Sequence, residues 1–309
     1  MARKRRGRPI HGWIAIDKPR GMSSAHAVAR VRRITGAAKA GHGGTLDPLA
    51  TGVLPVALGE ATKTSAWAMA GDKTYRFVLR WGESRDTDDS EGAVTGTSDA
   101  RPAEAEVLAL LDRFTGDIVQ RPPRYSALKL DGRRSYDLAR AAVDFDLPER
   151  VVTVVALALL DMPDADRAVF EMRCGKGTYV RSLARDLALA LGTVGHAEEI
   201  RRLAVGRFAE ADSIPLDRLE TLVHSAPAQD YLLPIEAALD DIPAVPVSAS
   251  QAALLRHGQP VRITARERCA VVAERVAEGD TVVAMGEGGV VALARVEDGA
   301  IRPTRVINP

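Results

Sequence analysis

The sequence is poor in the residues that build covalent or metal-bound frameworks. It has two cysteines, Cys174 and Cys269, far apart, with no CxxC pair and no Cys/His cluster. Neither a disulfide framework nor a zinc site is indicated, and the usage suits a reducing cytoplasm. His11, His26, His196, His224 and His257 form no ligand spacing. The acidic stretch Gly82–Glu91 lacks the Gly and Glu positions of an EF-hand loop, and reads as a solvated turn. No glycine run ends in the Gly-Lys-Ser/Thr of a phosphate-binding P-loop. No apolar run reaches the roughly 18 residues of a membrane span. The basic Met1–Arg8 is followed by no apolar signal core. Repeats and low-complexity segments are absent. The expectation is no metal, no cofactor and no membrane.

What remains is ordinary globular material: 309 residues, 46% hydrophobic and 27% charged. The length suggests two domains and a sizeable core. The net charge of +1 hides an asymmetry. Residues 1–40 carry eleven Lys/Arg against one acid, Asp17, a net of +10; the rest carries 31 basic and 40 acidic residues, a net of −9. A basic front end on a near-neutral chain points to a polyanion partner, although residues 3–8 alone read equally well as a solvated tail.

The chain is organised around residues 41–63, GHGGTLDPLATGVLPVALGEATK. Gly41, Gly43 and Gly44 disfavour a helix or a regular strand. Pro48 moves Asp47 away from helical geometry, so Asp47 is displayed on a loop that Val53–Leu58 anchors in the core. One acid on a glycine-lined loop suits a nucleophile or a general base, and glycines let a flat substrate approach the backbone. An ordinary Asp-Pro turn fits the spacing as well.

Around this stretch the pattern is mixed. Residues 12–17 read as a strand. Ser23 or Ser24 caps a helix running to about Thr35. Arg30, Arg32 and Arg33 fall mostly off its apolar stripe. Lys73–Trp81 alternates as a strand with Tyr75, Phe77, Leu79 and Trp81 on one face; on pattern alone Tyr75 is a core residue. Pro102 opens a helix through about Phe114. Leu147–Leu160 is β-branched and reads as a buried strand, and Ala168–Cys174 alternates. Thr178 is placed to cap a helix ending at Gly192. Arg181 falls in its first turn, where the dipole disfavours a cation, so an anionic partner is implied. Arg201 and Arg202 suit phosphates or a solvated pair. Two prolines at Ile242–Pro246 mark a boundary. Beyond it come a short helix at 251–257 and Val-rich strands at Gln259–Ile263, Ala270–Val276, Thr281–Met285, Val290–Val296 and Pro303–Ile307.

Several of these stretches resemble the TruB-type family, the tRNA pseudouridine-55 synthases. The central stretch is similar to the family signature around G-T-L-D. So are Lys18-Pro19, Lys73-Thr74-Tyr75, Thr87–Gly92, QRPPRYSALK at 120–129, CGKGTYVR at 174–181 and Ile200-Arg201-Arg202-Leu203. The resemblance implies that Asp47 is the catalytic nucleophile and that Arg181 pairs with it. It implies further that Tyr75 lies against the target base and that Tyr179 and Ile200 line the base pocket. His42, beside the loop, is placed to fill the gap left by an extruded base or to touch its displaced partner. Gly43 stands where many members have Thr, which would loosen the loop. Gly175 replaces Ser, and Ile200 replaces Leu.

The expected fold is α+β: a pseudouridine-synthase-like mixed, largely antiparallel sheet flanked by helices and loops, plus a small C-terminal β-barrel resembling a PUA domain. The expected division is a catalytic domain at 1–243, with residues 1–10 as a basic tail, and an RNA-binding module at 244–309, for which a structural β appendage is the plainer alternative. The expected activity is isomerisation of uridine to pseudouridine in the T loop of tRNA at position 55, by a cytoplasmic monomer. Two other readings stand beside it. A non-catalytic RNA-binding or RNA-folding protein on this scaffold would not need Asp47, Tyr75 and Arg181 together. A guide-RNA-dependent relative would carry long Lys-rich extensions that this chain lacks.

Overall fold

The computed structural model describes residues 7–126, 128–130, 133–141, 143, 145–262 and 276–309. Residues 3–6, Ala127, Cys269 and most of the strand expected at Ala270–Val276 lie outside them.

The main sheet is built on Gly12–Lys18 (β1), Ala40–His42 (β2), Thr51–Leu58 (β3), Lys73–Trp81 (β4), Gly116–Gln120 (β5), Arg150–Asp164 (β6), Arg167–Cys174 (β7), Gly195–Val205 (β8), Phe208–Ala209 (β9) and Ile214–Pro215 (β10). The strand order is β10-β1-β3-β8-β4-β7-β6-β5, with β2 on β3 and β9 on β8. Only β1/β10 and β3/β8 are parallel. The sheet is therefore mixed and largely antiparallel, as the sequence led one to expect. The short strand β2 is a correction. Gly41 and His42 pair with Ala57 and Val56, so the glycine run begins inside the sheet and leaves it only at Gly43.

β1 and β3 are apolar on both faces because both faces are covered. Ile14, Ile16, Leu54, Val56 and Leu58 join the main core, while Trp13, Ala15, Val53 and Ala57 join a second cluster on the other side. Ser24–Thr35 (α1) lies over the first face. The Ser23 hydroxyl accepts from the His26 N–H, and the helix ends at left-handed Gly36 with Arg32 and Arg33 in its last turn, favourable to the dipole. Val180–Ala190 (labelled α4, after Ser65–Ala70, α2, and Glu104–Leu110, α3) buries Leu183, Ala184 and Leu187 in the main core, in the same cluster as Phe77 and Leu79.

Two expectations fail here. Thr178 does not cap α4; its hydroxyl donates to the Gly175 carbonyl, and the cap position is Tyr179. The buried Gln120 side chain supplies the missing partners, accepting from the Tyr179 N–H and donating to the Tyr179 carbonyl. The run at Leu147–Leu160 forms β6, but only one face is covered. Val152 and Val154 are buried, whereas Val151 is 67% exposed and its cross-strand neighbour Val119 is 63% exposed. A β-branched run looks the same whether one face is covered or two.

A second sheet of five strands has the order Ala244–Pro246 (β11), Thr281–Gly286 (β13), Gly289–Glu297 (β14), Ala300–Val306 (β15), Val261–Arg262 (β12). The helix Ala249–Arg256 beside it starts from a reciprocal cap between Ser248 and Gln251. This sheet shares a core with the main one: Val283, Val290, Leu293 and Ile307 pack into the cluster of Trp13, Val53 and Phe208. Lys63 Nζ donates to the Val306 carbonyl, and the Asn308 N–H donates to Glu60. Among the described residues, no helix is long and apolar enough to cross a membrane.

Candidate active site

The loop from Gly43 to Ala50 leaves β2 and returns as β3. Leu46, Leu49 and Ala50 are buried beneath it, and its backbone is tied down from two sides. On the α1 side, the Ser24 hydroxyl donates to the Leu46 carbonyl and accepts from its N–H, both at 2.8 Å. Lys18, fully buried, donates to the carbonyls of Pro19, Met22 and Pro48. On the β8 side, Arg202 donates to the carbonyls of Gly44, Thr45 and Val53. Two glycines are required here. Gly44 has φ +122°, and Gly52 has φ +98° with the Arg202 carbonyl 2.2 Å from where a Cβ would stand. Gly43 does not loosen the loop as the sequence suggested. A Cβ there would lie 2.8 Å from the Ala68 Cβ and 3.3 Å from the Trp13 ring, so the space of a larger side chain is already occupied.

With the backbone fixed, the Asp47 side chain stays 37% exposed, and its Oδ2 lies 2.7 Å from Arg181 Nη2. The Arg181 side chain is only 4% exposed. Besides Asp47 it meets Asp89 at 3.3 Å and donates to the carbonyls of Thr87 and Tyr125. This corrects part of the acidic turn: Asp86 and Glu91 are exposed, but Asp88 and Asp89 turn inward. Asp89 is buried, accepting from the Thr87 hydroxyl and the Glu91 N–H. Asp88, in a left-handed conformation, pairs with Arg185 at 2.8 Å. Burial pushes the Asp88 carboxyl up, against the pull of Arg185 and Arg181. Nothing in the spacing of Thr87-Asp88-Asp89 revealed this, because both cationic partners come from α4, about a hundred residues later.

These groups border a cavity of about 380 Å³ whose wall includes Asp47, Tyr75, Tyr179, Arg181, Ile200 and Arg202, within the usual range of small-molecule sites. Five of the six site residues expected from the sequence therefore meet at one place. His42 does not line the cavity. It sits in β2, where burial and then Arg202 hold its imidazole below the usual range, and its Nδ1 is buried without a hydrogen-bond partner. Burial raises the Tyr75 phenol, opposed by Arg202, so Tyr75 is protonated near neutrality. Burial likewise raises the Tyr179 phenol. Lys18 is lowered to about 8 by burial, opposed by Asp47. Lys73 is lowered by burial and then by Arg202.

Arg201 and Arg202 are not a phosphate-facing pair. Arg201 is held by Asp17 and Glu210. Arg202 is 1% exposed and already bonded to three carbonyls. The two-residue period of a strand carries the signal: Ile200 and Arg202 share a face.

The fold has close counterparts among solved structures. A "Cbf5-Nop10-Gar1 Complex" superposes with a TM-score of 0.74 over 97% of this chain and 85% of the other, at 26% identity. An archaeal "box H/ACA sRNP Nop10-Cbf5 complex" gives 0.73 over 100% and 93%, at 24% identity. The class is given by two family models, both of pseudouridylate synthases. Residues 32–180 match the "TruB family pseudouridylate synthase (N terminal domain)", and residues 181–240 match the "tRNA pseudouridylate synthase B C-terminal domain". The chain belongs to the TruB family. Curated relatives include "tRNA pseudouridine synthase B" of Rhodospirillum rubrum, 54% identical over 100% of both chains. The protein of the same name from Bradyrhizobium diazoefficiens is 52% identical over 99% of this chain and 88% of the relative.

Proposed function

We propose that this enzyme converts uridine to pseudouridine in tRNA, at position 55 of the T loop, with Asp47 as the nucleophile. The observation that carries the reading is the Asp47 carboxylate, held 2.7 Å from the buried Arg181 at the wall of a cavity that also presents Tyr75. Full-length relatives at about half identity that bear the name tRNA pseudouridine synthase B support tRNA as the substrate.

In this reading the C1′–N1 bond breaks, the uracil turns within the cavity, and a C1′–C5 bond forms. The C5 proton leaves and N1 ends protonated, so atoms and electrons balance without a cofactor. Asp47 attacks either C6 of the base or C1′ of the ribose. The planar Arg181 guanidinium holds and aims the Asp47 carboxylate. Tyr75 stacks on the base, a contact typically worth about 1–3 kcal/mol; Tyr179 and Ile200 shape the pocket. Since Tyr75 is protonated near neutrality, it accepts the C5 proton only with a concerted loss of its own; otherwise water accepts it. The stacked uridine is extruded to reach the cavity, and His42, outside the cavity wall beside the loop, takes the space it vacates.

The basic segment 1–40 supplies salt-dependent phosphate contacts. Residues 1–243 act as the catalytic unit and 244–309 as a PUA-like RNA-binding module. The expected working form is a cytoplasmic monomer. The test is tritium release from a T stem-loop RNA labelled at C5 of uridine, comparing wild type with Asp47→Asn at equal RNA occupancy. Release by wild type alone is expected. Release by both proteins places the nucleophile elsewhere, and release by neither removes this substrate.

A further inference from the structure

Arg202 is the least exposed charged side chain of the cavity wall. Its backbone lies opposite Tyr75 in the β8/β4 pairing and opposite Gly52 in the β8/β3 pairing. It thus occupies the junction of the strand that presents Tyr75 with the strand that follows the Asp47 loop. Its guanidinium donates from all three nitrogens: Nε to the Val53 carbonyl at 2.8 Å, Nη1 to Thr45 at 3.2 Å and Nη2 to Gly44 at 3.1 Å. Two of these carbonyls precede Asp47 and one follows it, so a single rigid fork closes the loop at its base. The same side chain borders the cavity wall together with Tyr75, whose backbone is its cross-strand partner. At 1% exposure, with its donors engaged, it has no face left for a phosphate.

We propose that Arg202 is a positioning residue for the isomerisation, holding the Asp47 loop in one fixed relation to the strand that presents Tyr75. The inference rests on the proposed roles of Asp47 and Tyr75. A lysine presents its donors from one point and does not reproduce the planar, spread fork that reaches Gly44, Thr45 and Val53 from three nitrogens.

The experiment measures single-turnover rate and RNA dissociation constant separately on a T stem-loop, for wild type, Arg202→Met, Arg202→Lys and Asp47→Asn. Arg202→Met is expected to slow the chemical step by about 100-fold, the scale of a displaced reacting group, with the dissociation constant within a few-fold of wild type. Millimolar guanidinium should restore part of the lost rate in Arg202→Met and none in Asp47→Asn. Arg202→Lys should bind RNA normally and remain slow. Should Arg202→Met fail to fold, Arg202→Lys carries the same comparison. A wild-type rate in either Arg202 variant overturns the proposal. So does a rate loss that follows RNA affinity and resists guanidinium. An active Asp47→Asn instead overturns the underlying assignment of the nucleophile, whatever the Arg202 variants do.

Discussion

The carboxylate of Asp89 stands 3.3 Å from the guanidinium of Arg181, with the two side chains 5% and 4% exposed. Arg181 therefore serves two acids, a buried one and a half-open one, and the buried one fixes its position before any substrate arrives. Removing one member of a buried pair leaves an uncompensated charge, which typically costs about 3–5 kcal/mol.

Asp89→Ala should accordingly lower stability by about 3–5 kcal/mol, read as a fall in the urea midpoint. It should also slow tritium release more than it weakens RNA binding, because Arg181 loses the contact that aims it at Asp47. Asp89→Asn keeps the acceptor for the Thr87 hydroxyl and should retain more of the stability. Equal stability of wild type and Asp89→Ala would mean the pair is not formed in solution.

Arg181→Lys preserves charge but cannot reach Asp47, Asp89 and the carbonyls of Thr87 and Tyr125 together. The expected result is a loss of about 100-fold or more in the single-turnover rate, with RNA affinity little changed. A parallel loss of affinity would assign Arg181 to RNA binding.

Gly43→Thr would restore the residue that many family members carry, yet it is expected to destabilise this chain. The new Cβ meets Ala68 and Trp13 at 2.8 and 3.3 Å, and overpacking of this kind costs about 1–3 kcal/mol. Ala68→Gly should recover part of that loss in the double variant, which a thermal melt of the four proteins would show as non-additivity.

Lys18 gives a pH signature with opposite signs in stability and rate. The unfolded chain keeps this proton up to the ordinary 10.5, while the buried amine releases it near 8. Between those values the unfolded state holds more protons, so the Lys18 contribution to stability rises with pH. The rate should fall through the same window, as the loop loses a charged donor to Pro48 and the cation beside Asp47. Comparing wild type with Lys18→Arg, whose guanidinium does not titrate there, isolates both effects. A falling limb near pH 8 that persists in Lys18→Arg would belong to another group.

The parts legible in the sequence were those fixed by local chemistry. The Ser23 cap, the alternation of Lys73–Trp81 and the displayed Asp47 are set within a few residues, and the family resemblance added Arg181, Tyr75, Tyr179 and Ile200, which meet at one cavity. What escaped depends on partners distant in the chain. Asp89 reads as one more acid in a polar turn until α4 brings Arg181 to it. Arg202 reads as half of an exposed Arg-Arg pair until β8 settles between β3 and β4. The exposed valines of β6 escaped for a third reason: composition records what a strand is made of, not how many of its faces are covered.

Trp13 has a bearing on the order of synthesis. Its ring lies against Phe208, its backbone exchanges hydrogen bonds with Leu233, its indole N–H reaches Ile235, and its cluster includes Val283, Leu293 and Ile307. The first strand of the sheet therefore waits for nearly the whole chain to leave the ribosome before its outer face is sealed. Strand β3, which shares that face, waits with it. A nascent chain halted before residue 280 would leave that outer face open to water, whereas Leu46, Leu49 and Ala50 beneath Asp47 belong to the cluster on the other face, which needs nothing beyond the catalytic half.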